Sequence, residues 1–499
     1  MPAEGAVMSE GGVAVRAAFA GAVPDEGITD DPRRLAGYCE DRSFGTGATA
    51  QLVVYPTRKE ELQAIVRQAN EHRLPLVPVS SGPPHFHGGS RPAHGGVVAD
   101  FQRMNRILKV DATDRYVMIE PGVTYGELIP EVRKKGLRLD APLLPRASKS
   151  VVASRLEREP VAIPKYQYDY SDPLMTVEVV YGDGTDFRTG SASGPGPLEQ
   201  LTADKVNPWG PGAIDYLRFI TGAQGTMGLV TWAVTKAEVL PSVQKLYFIT
   251  TSNLGLLITF MNRLLRRRVG DECLALNNVG LAARLAQDWS GDFERLRGSL
   301  PEWTALVVLA GYKHHPEERL AIQERYLFEV CHELGVAPLT TLPGAEGRED
   351  AVLATLSEAY CREPYFKLGP RGSCRDIMYL SPPSKVADLA GIVEGLRAKH
   401  EFPRESVGAY LQPCVQGRGY HCEFELFCAE DDPIEMARVR GLFFDASEAL
   451  MAGGAFFSRP YGPWSDMVYS RYGEGVAALR KLKGIFDPNN ILNPGKLCF

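Results

Sequence analysis

Between two apolar runs, LPLVPV (74–79) and GGVVADF (95–101), the chain carries the segment VSSGPPHFHGGSRPAHGG, residues 79 to 96. Its eighteen positions hold five glycines, three prolines and three of the nine histidines. Glycine allows positive φ and close approach of the backbone to a ligand, whereas proline fixes φ and removes a donor. A stretch this dense in both is neither helix nor central strand. It is expected to be a long loop held between two strands, and its neighbours decide what it holds.

Those neighbours alternate. QLVVYP (51–56) reads as a strand and TRKEELQAIVRQANEHR (57–73) as a helix, with Thr57 and Glu60 spaced as a capping box and Leu62, Ile65, Val66 and Ala69 on one face. GGVVADF and RYVMIEPG (115–122) are short strands, and TYGELIPEVRKKG (124–136) is a second capped helix, with Thr124 and Glu127 as its box and Gly136 at its end. LMTVEVVYGDGTDFRTG (174–190) is a hairpin pattern around Gly-Asp-Gly. Glycines 222, 225 and 228 precede a strand-like run, LVTWAVTKAEVL, instead of opening a helix, so they do not make a nicotinamide dinucleotide fingerprint. Beyond residue 243 longer helices and separated strands mark a second domain. The tail LRKLKGIFDPNNILNPGKLCF reads as a helix and then a turn. The expected organisation is an N-terminal arm (1–45), an α/β domain (46–242), a second α/β domain (243–465) and a C-terminal segment (466–499). The fold class is α+β.

Composition narrows the function. Lys plus Arg total 55 against 61 Asp plus Glu, a net charge of -6, which does not point to nucleic acid. The run RLLRRR (263–268) reads as the solvated face of a helix. Nine cysteines lie scattered without a CxxC pair, which argues against a zinc ribbon or iron–sulfur cluster and for free thiols. His85, His87 and His94 lack an acidic partner cluster in sequence, so no metal is expected there. The first residues do not read as a signal peptide, and no run of eighteen apolar residues occurs, so the expected location is cytoplasmic. A homo-oligomer is the default assembly.

Taken in order, the glycine/proline loop, GGVVADFQRMNRI, IEPGVTYGEL, VEVVYGDGT, TGAQGTMGLVT and FDPNNILNPGK resemble the FAD-binding flavoproteins of the vanillyl-alcohol oxidase and p-cresol methylhydroxylase family. The resemblance covers about 38–242 and 405–499. It implies a bipartite α/β FAD-binding domain joined to a substrate (cap) domain. It also implies FAD as cofactor, with its pyrophosphate on the loop amides. The cofactor residues so implied are Ser81, Gly82, Pro83, Pro84, His85, Gly88, Gly89, Pro121, Gly122, Ser150, Ala153, Ser154, Gly228, Val230, Asn493 and Lys496. Pro83 and Pro84 depart from the usual glycines and cannot donate. Histidine and tyrosine attachment points of some members fall near Pro84, Asp376 and Ile377, none a suitable nucleophile, so FAD is expected to be noncovalent.

SVVASRLEREP (150–160) is similar to the stretch that supplies a base in the phenol-oxidising branch, and Glu157 falls on that position. GGAFFSRPYGPWSD places Arg459 where that branch clamps a phenolate, with Ser458 in place of a tyrosine. His87 falls where another phenolate-binding tyrosine lies. In GRGYHCEFELF, His421 and Glu423 share a strand face, which resembles part of the 2-hydroxy-acid branch. The leading expectation is an FAD-dependent oxidoreductase taking a hydride from a p-alkylphenol or aromatic alcohol, with Glu157 as base and Arg459 as clamp. One alternative is a 2-hydroxy-acid dehydrogenase with His421 as base. Another is a flavin-holding subunit without turnover. A cytochrome or iron–sulfur protein is a possible electron acceptor.

Overall fold

The computed structural model describes residues 10–193, 200–207, 210 and 212–499. A four-stranded sheet comes first, in the order β1 (Ile28–Thr29), β2 (Leu52–Val54), β4 (Val97–Asp100) and β3 (Leu76–Val79). Strands β2, β3 and β4 run parallel, and β1 is antiparallel on β2. Leu52, Val54, Leu76, Val97 and Ala99 pack against Leu62, Ile65, Val66 and Ala69 of the helix Lys59–Glu71, while Val53, Val77, Val79 and Val98 fill the opposite face. Burial on both faces explains why these strands read as unbroken apolar runs.

Two expectations change. The described part of the N-terminal arm is packed and not separate: Phe19, Val23 and Ile28 join the same core, and Ile28 pairs with Val54. Their signal is weak because small residues and glycines separate the large apolar ones. Thr57 bonds Glu61 instead of Glu60, its amide at 2.8 Å and its hydroxyl at 2.9 Å, because the helix starts at Lys59 and places Glu61 facing back. The second box, Thr124 with Glu127, forms as expected.

The second sheet is antiparallel, with β5 (Ile107–Asp111), β6 (Tyr116–Ile119), β10 (Leu229–Val239), β8 (Leu174–Val180) and β9 (Asp186–Arg188) in that order and β7 (Leu137–Leu139) also on β10. Strands β8 and β9 are the hairpin seen in the sequence.

The third sheet runs β11 (Val243–Thr251), β13 (Trp303–Gly311), β12 (Cys273–Asn277), β15 (Val407–Cys414), β16 (Gly419–Cys428) and β14 (Ser373–Ser381). Alternation along β12 shows its two layers. Cys273 and Ala275 face the helices Leu254–Arg266, Val386–Lys399 and Pro433–Gly453, whereas Leu274 and Leu276 face Asn278–Leu285 and Asp292–Ser299. The second layer also meets Leu143 and Leu144 from the first half of the chain. The basic run ends the helix Leu254–Arg266, with Arg263 and Arg267 on Glu333 at 3.0 and 2.9 Å. After the helix Glu474–Phe486 the tail returns beside β3: Leu76 donates to Ile491 at 2.7 Å and Asn493 to Leu76 at 2.9 Å. Among the described residues no helix is long and apolar enough to cross a membrane.

Candidate active site

One deep cavity opens between the first two sheets and the third, and the glycine/proline loop forms one of its walls. The loop is pulled outward by its carbonyls. Arg146 donates to Gly82 O, and to Pro84 O at 3.3 Å. Arg42 N donates to His85 O at 2.8 Å, Lys496 Nζ to Gly88 O at 2.7 Å and Asn493 Nδ2 to Gly89 O at 3.2 Å. The amides of Gly82, Gly89 and Ser90 donate to no protein group among the described residues. Fixed carbonyls and free amides are what an anion-holding nest requires. Gly88 has φ +76°, and a Cβ on Gly89 would lie 3.4 Å from the Tyr461 ring.

The helix Val151–Leu156 forms the next wall. Ser150 caps it, accepting from Ala153 N at 3.0 Å, and Ser81 Oγ accepts from Ser150 N at 3.0 Å, so the loop and the helix are tied together. Val152, Ala153, Leu156 and Glu157 line the cavity. Lys149 Nζ bridges Glu157 at 2.9 Å and Glu159 at 2.5 Å. Burial would raise Glu159, but Lys149 and Arg459 outweigh it and hold the carboxyl at about 2.

The third sheet closes the cavity with Met378, Tyr410 and Glu423, joined by Phe366, Arg459 and Tyr461 from segments outside its strands. Arg459 is 7% exposed, and its guanidinium hydrogen-bonds no protein group among the described residues. Lys367 Nζ donates to Asp376 at 2.7 Å and to Glu423 at 2.5 Å, and Glu423 meets His421 Nε2 at 2.9 Å. Arg284 bonds Glu425 at 2.7 and 3.1 Å and lies 4.5 Å over the Phe366 ring. Burial lowers His421, against the pull of Glu423, so the imidazole is neutral.

Of the residues singled out from sequence, Ser81, Pro84, His85, His87, Gly89, Pro121, Ala153, Glu157, Gly228, Val230 and Arg459 all face this cavity. Others stand behind its wall. Gly122 sits against the chain, where a Cβ would meet Phe101 O at 2.5 Å, outside the cavity lining. Ser150 is spent on capping, and Ser154 accepts from Tyr125 and donates to Glu159. Asn493 and Lys496 hold the loop from outside. His421 is 3% exposed and lies beyond Glu423, outside the cavity lining. The sequence reading missed Arg146, Lys149, Lys367 and Arg284, since each comes from a stretch without a motif.

His85 carries a pH dependence. Burial lowers it from 6.5 to about 4. The unfolded chain takes the proton near 6.5 and the native state only near 4, so stability present above pH 6.5 is lost as pH falls toward 4, by up to about 3 kcal/mol. Replacing His85 with glutamine should flatten this part of the cofactor-free protein's stability curve, measured by urea denaturation at stepped pH.

The geometry fits FAD on two counts: unpartnered amides in a glycine-rich loop beside the cavity, as a pyrophosphate requires, and a left-handed backbone at Gly88 that only glycine adopts easily. Comparison with known proteins agrees. Residues 50–190 match the FAD binding domain family, and residues 465–497 match the C-terminal domain of FAD linked oxidases. Glycolate oxidase subunit GlcD of Bacillus subtilis (strain 168) is 25% identical over 455 residues, covering 89% of this chain and 88% of that protein. The 4-cresol dehydrogenase [hydroxylating] flavoprotein subunit of Pseudomonas putida is 23% identical over 477 residues, covering 89% and 87%. The crystal structure of p-cresol methylhydroxylase with substrate bound superposes with a TM-score of 0.84 at 19% identity, over 98% of each chain.

Proposed function

We propose that this chain, an FAD-dependent oxidoreductase of the p-cresol methylhydroxylase type, oxidises a p-alkylphenol or a related aromatic alcohol. The observation that carries the reading is Arg459, a buried guanidinium without a hydrogen-bond partner among the described residues, facing a cavity walled by Phe366, Tyr410 and Tyr461. A planar fork of donors suits a phenolate, and the rings suit the aromatic body that carries it. Bound FAD supplies the hydride acceptor. Ser81, Pro84, His85 and Gly89 would hold it at the loop, with Ala153, Gly228 and Val230 along its length. Glu157 stands in the wall of the same cavity, ion-paired to Lys149.

A second reading, a 2-hydroxy-acid dehydrogenase, is favoured by the His421–Glu423 pair: a neutral imidazole oriented by a carboxylate is the form a base takes. It requires His421 to reach past Glu423. The two relatives named as subunits support a protein electron acceptor for either reading. Anaerobic titration of the FAD-loaded protein separates them. Phenols with a benzylic C–H should bleach the flavin; bleaching by 2-hydroxy acids alone, lost in His421→Asn, would overturn the phenol reading. The flavin should stay in the supernatant after acid precipitation, because Pro84, Asp376 and Ile377 offer no suitable attachment nucleophile.

A further inference from the structure

We infer that His87 and Asp376 form the proton-accepting dyad of this site, an inference that rests on the phenol reading above. The two residues are 289 apart in sequence, yet His87 Nε2 lies 3.3 Å from Asp376 Oδ2. His87 reaches into the cavity, 22% exposed, while Asp376 is 2% exposed behind it. Burial would raise Asp376, but Lys367 first and His87 next keep it below the ordinary carboxyl range, so it is ionised. An ionised carboxylate only accepts, so Nε2 carries the ring proton and Nδ1 keeps its lone pair for a substrate. The ring is fixed on its other side by Tyr461, stacked at 5.3 Å and 19°. Tyr461 is two residues from Arg459, and all three side chains line the same cavity.

The competing bases are less free. Glu157 is ion-paired to Lys149, and His421 lies behind Glu423. In the reaction the phenol O–H proton passes to His87 Nδ1, the oxygen left negative is held by Arg459, and the benzylic C–H bond breaks with its electron pair going as hydride to the flavin. The substrate loses two electrons and the flavin gains two. The imidazolium is stabilised by Asp376; Lys367, bonded to the same carboxylate, and Arg42 and Arg375, in the small pocket that adjoins His87, oppose its charge.

The test is stopped-flow reduction of FAD-loaded variants by a p-alkylphenol. His87→Ala should slow reduction at least about a hundredfold, as removal of a general base does, with flavin content unchanged and partial rescue by added imidazole. Asp376→Asn, a positioning change, should move the acid limb of the pH profile to lower pH. A loss below about tenfold in His87→Ala, or one that imidazole does not restore, or a larger loss in Glu157→Gln, overturns the dyad. The ring nitrogen NMR shifts of His87 decide it without turnover. They should report a ring protonated at Nε2 in the wild type and a mixture of tautomers in Asp376→Asn, and a wild-type ring protonated at Nδ1 overturns the dyad. If no phenol reduces the wild-type flavin, the phenol reading fails while the nitrogen shifts still report on the dyad.

Discussion

Replacing Arg459 with methionine should raise the Michaelis constant for a p-alkylphenol about ten- to a hundredfold or more while changing the limiting rate of flavin reduction far less. One charge-assisted hydrogen bond contributes about 1.5–3 kcal/mol, and removing its donor leaves the substrate oxygen facing apolar atoms. Binding that is equal in ground and transition states is lost from the Michaelis constant alone. Lysine at this position should recover part of the loss, because it keeps the charge without the planar fork. Steady-state kinetics on the three proteins give the split directly. A limiting rate that falls as far as the affinity would instead make Arg459 a transition-state contact. The aromatic walls of Phe366, Tyr410 and Tyr461 are untouched by either substitution, so residual affinity for a neutral aromatic analogue should persist.

The second large effect concerns the loop. Valine at both Gly88 and Gly89 should abolish FAD retention through gel filtration. Gly88 has φ +76°, a conformation a β-branched residue resists, and its added Cβ would come within 3.1 Å of Ser43 Oγ. At Gly89 the added carbon presses on the Tyr461 ring. The loop backbone then loses the conformation that leaves the Gly82, Gly89 and Ser90 amides unpartnered. Full flavin content in this double variant would mean the pyrophosphate lies elsewhere. Lys496→Met is the milder companion. It removes one tether, on Gly88 O, and should weaken FAD without abolishing it.

Much of this architecture was legible in the residues because local pattern and tertiary role agree. The helix Lys59–Glu71, the helix Tyr125–Lys134, the hairpin of β8 and β9 and the loop itself each carry their own periodicity or turn chemistry. The first residues were not legible, since Phe19 and Val23 become core only once β1 has paired with β2. The capping box at Thr57 slipped by one residue for a related reason: spacing names the partner type, but the helix start decides which glutamate turns back. At the site, Glu157, Arg459 and His87 could be singled out one by one. The ionic frame around them could not. Lys367 joins Asp376 on β14 to Glu423 on β16, and Arg284 joins its helix to Glu425, so none has a sequence neighbour that announces it. His421 shows the converse limit. Alternation put it on the same face as Glu423, which is correct, but a shared face does not say which residue along it meets the cavity.

On the proposed reading a substrate C–H bond gives its hydride to bound flavin in this cavity, beside Arg459. Anaerobic reduction of the FAD-loaded protein by a p-alkylphenol carrying either hydrogen or deuterium at the benzylic carbon measures that transfer. The flavin should bleach rapidly, and severalfold more slowly with deuterium. Bleaching at equal rates with both substrates, or none with either, would contradict it.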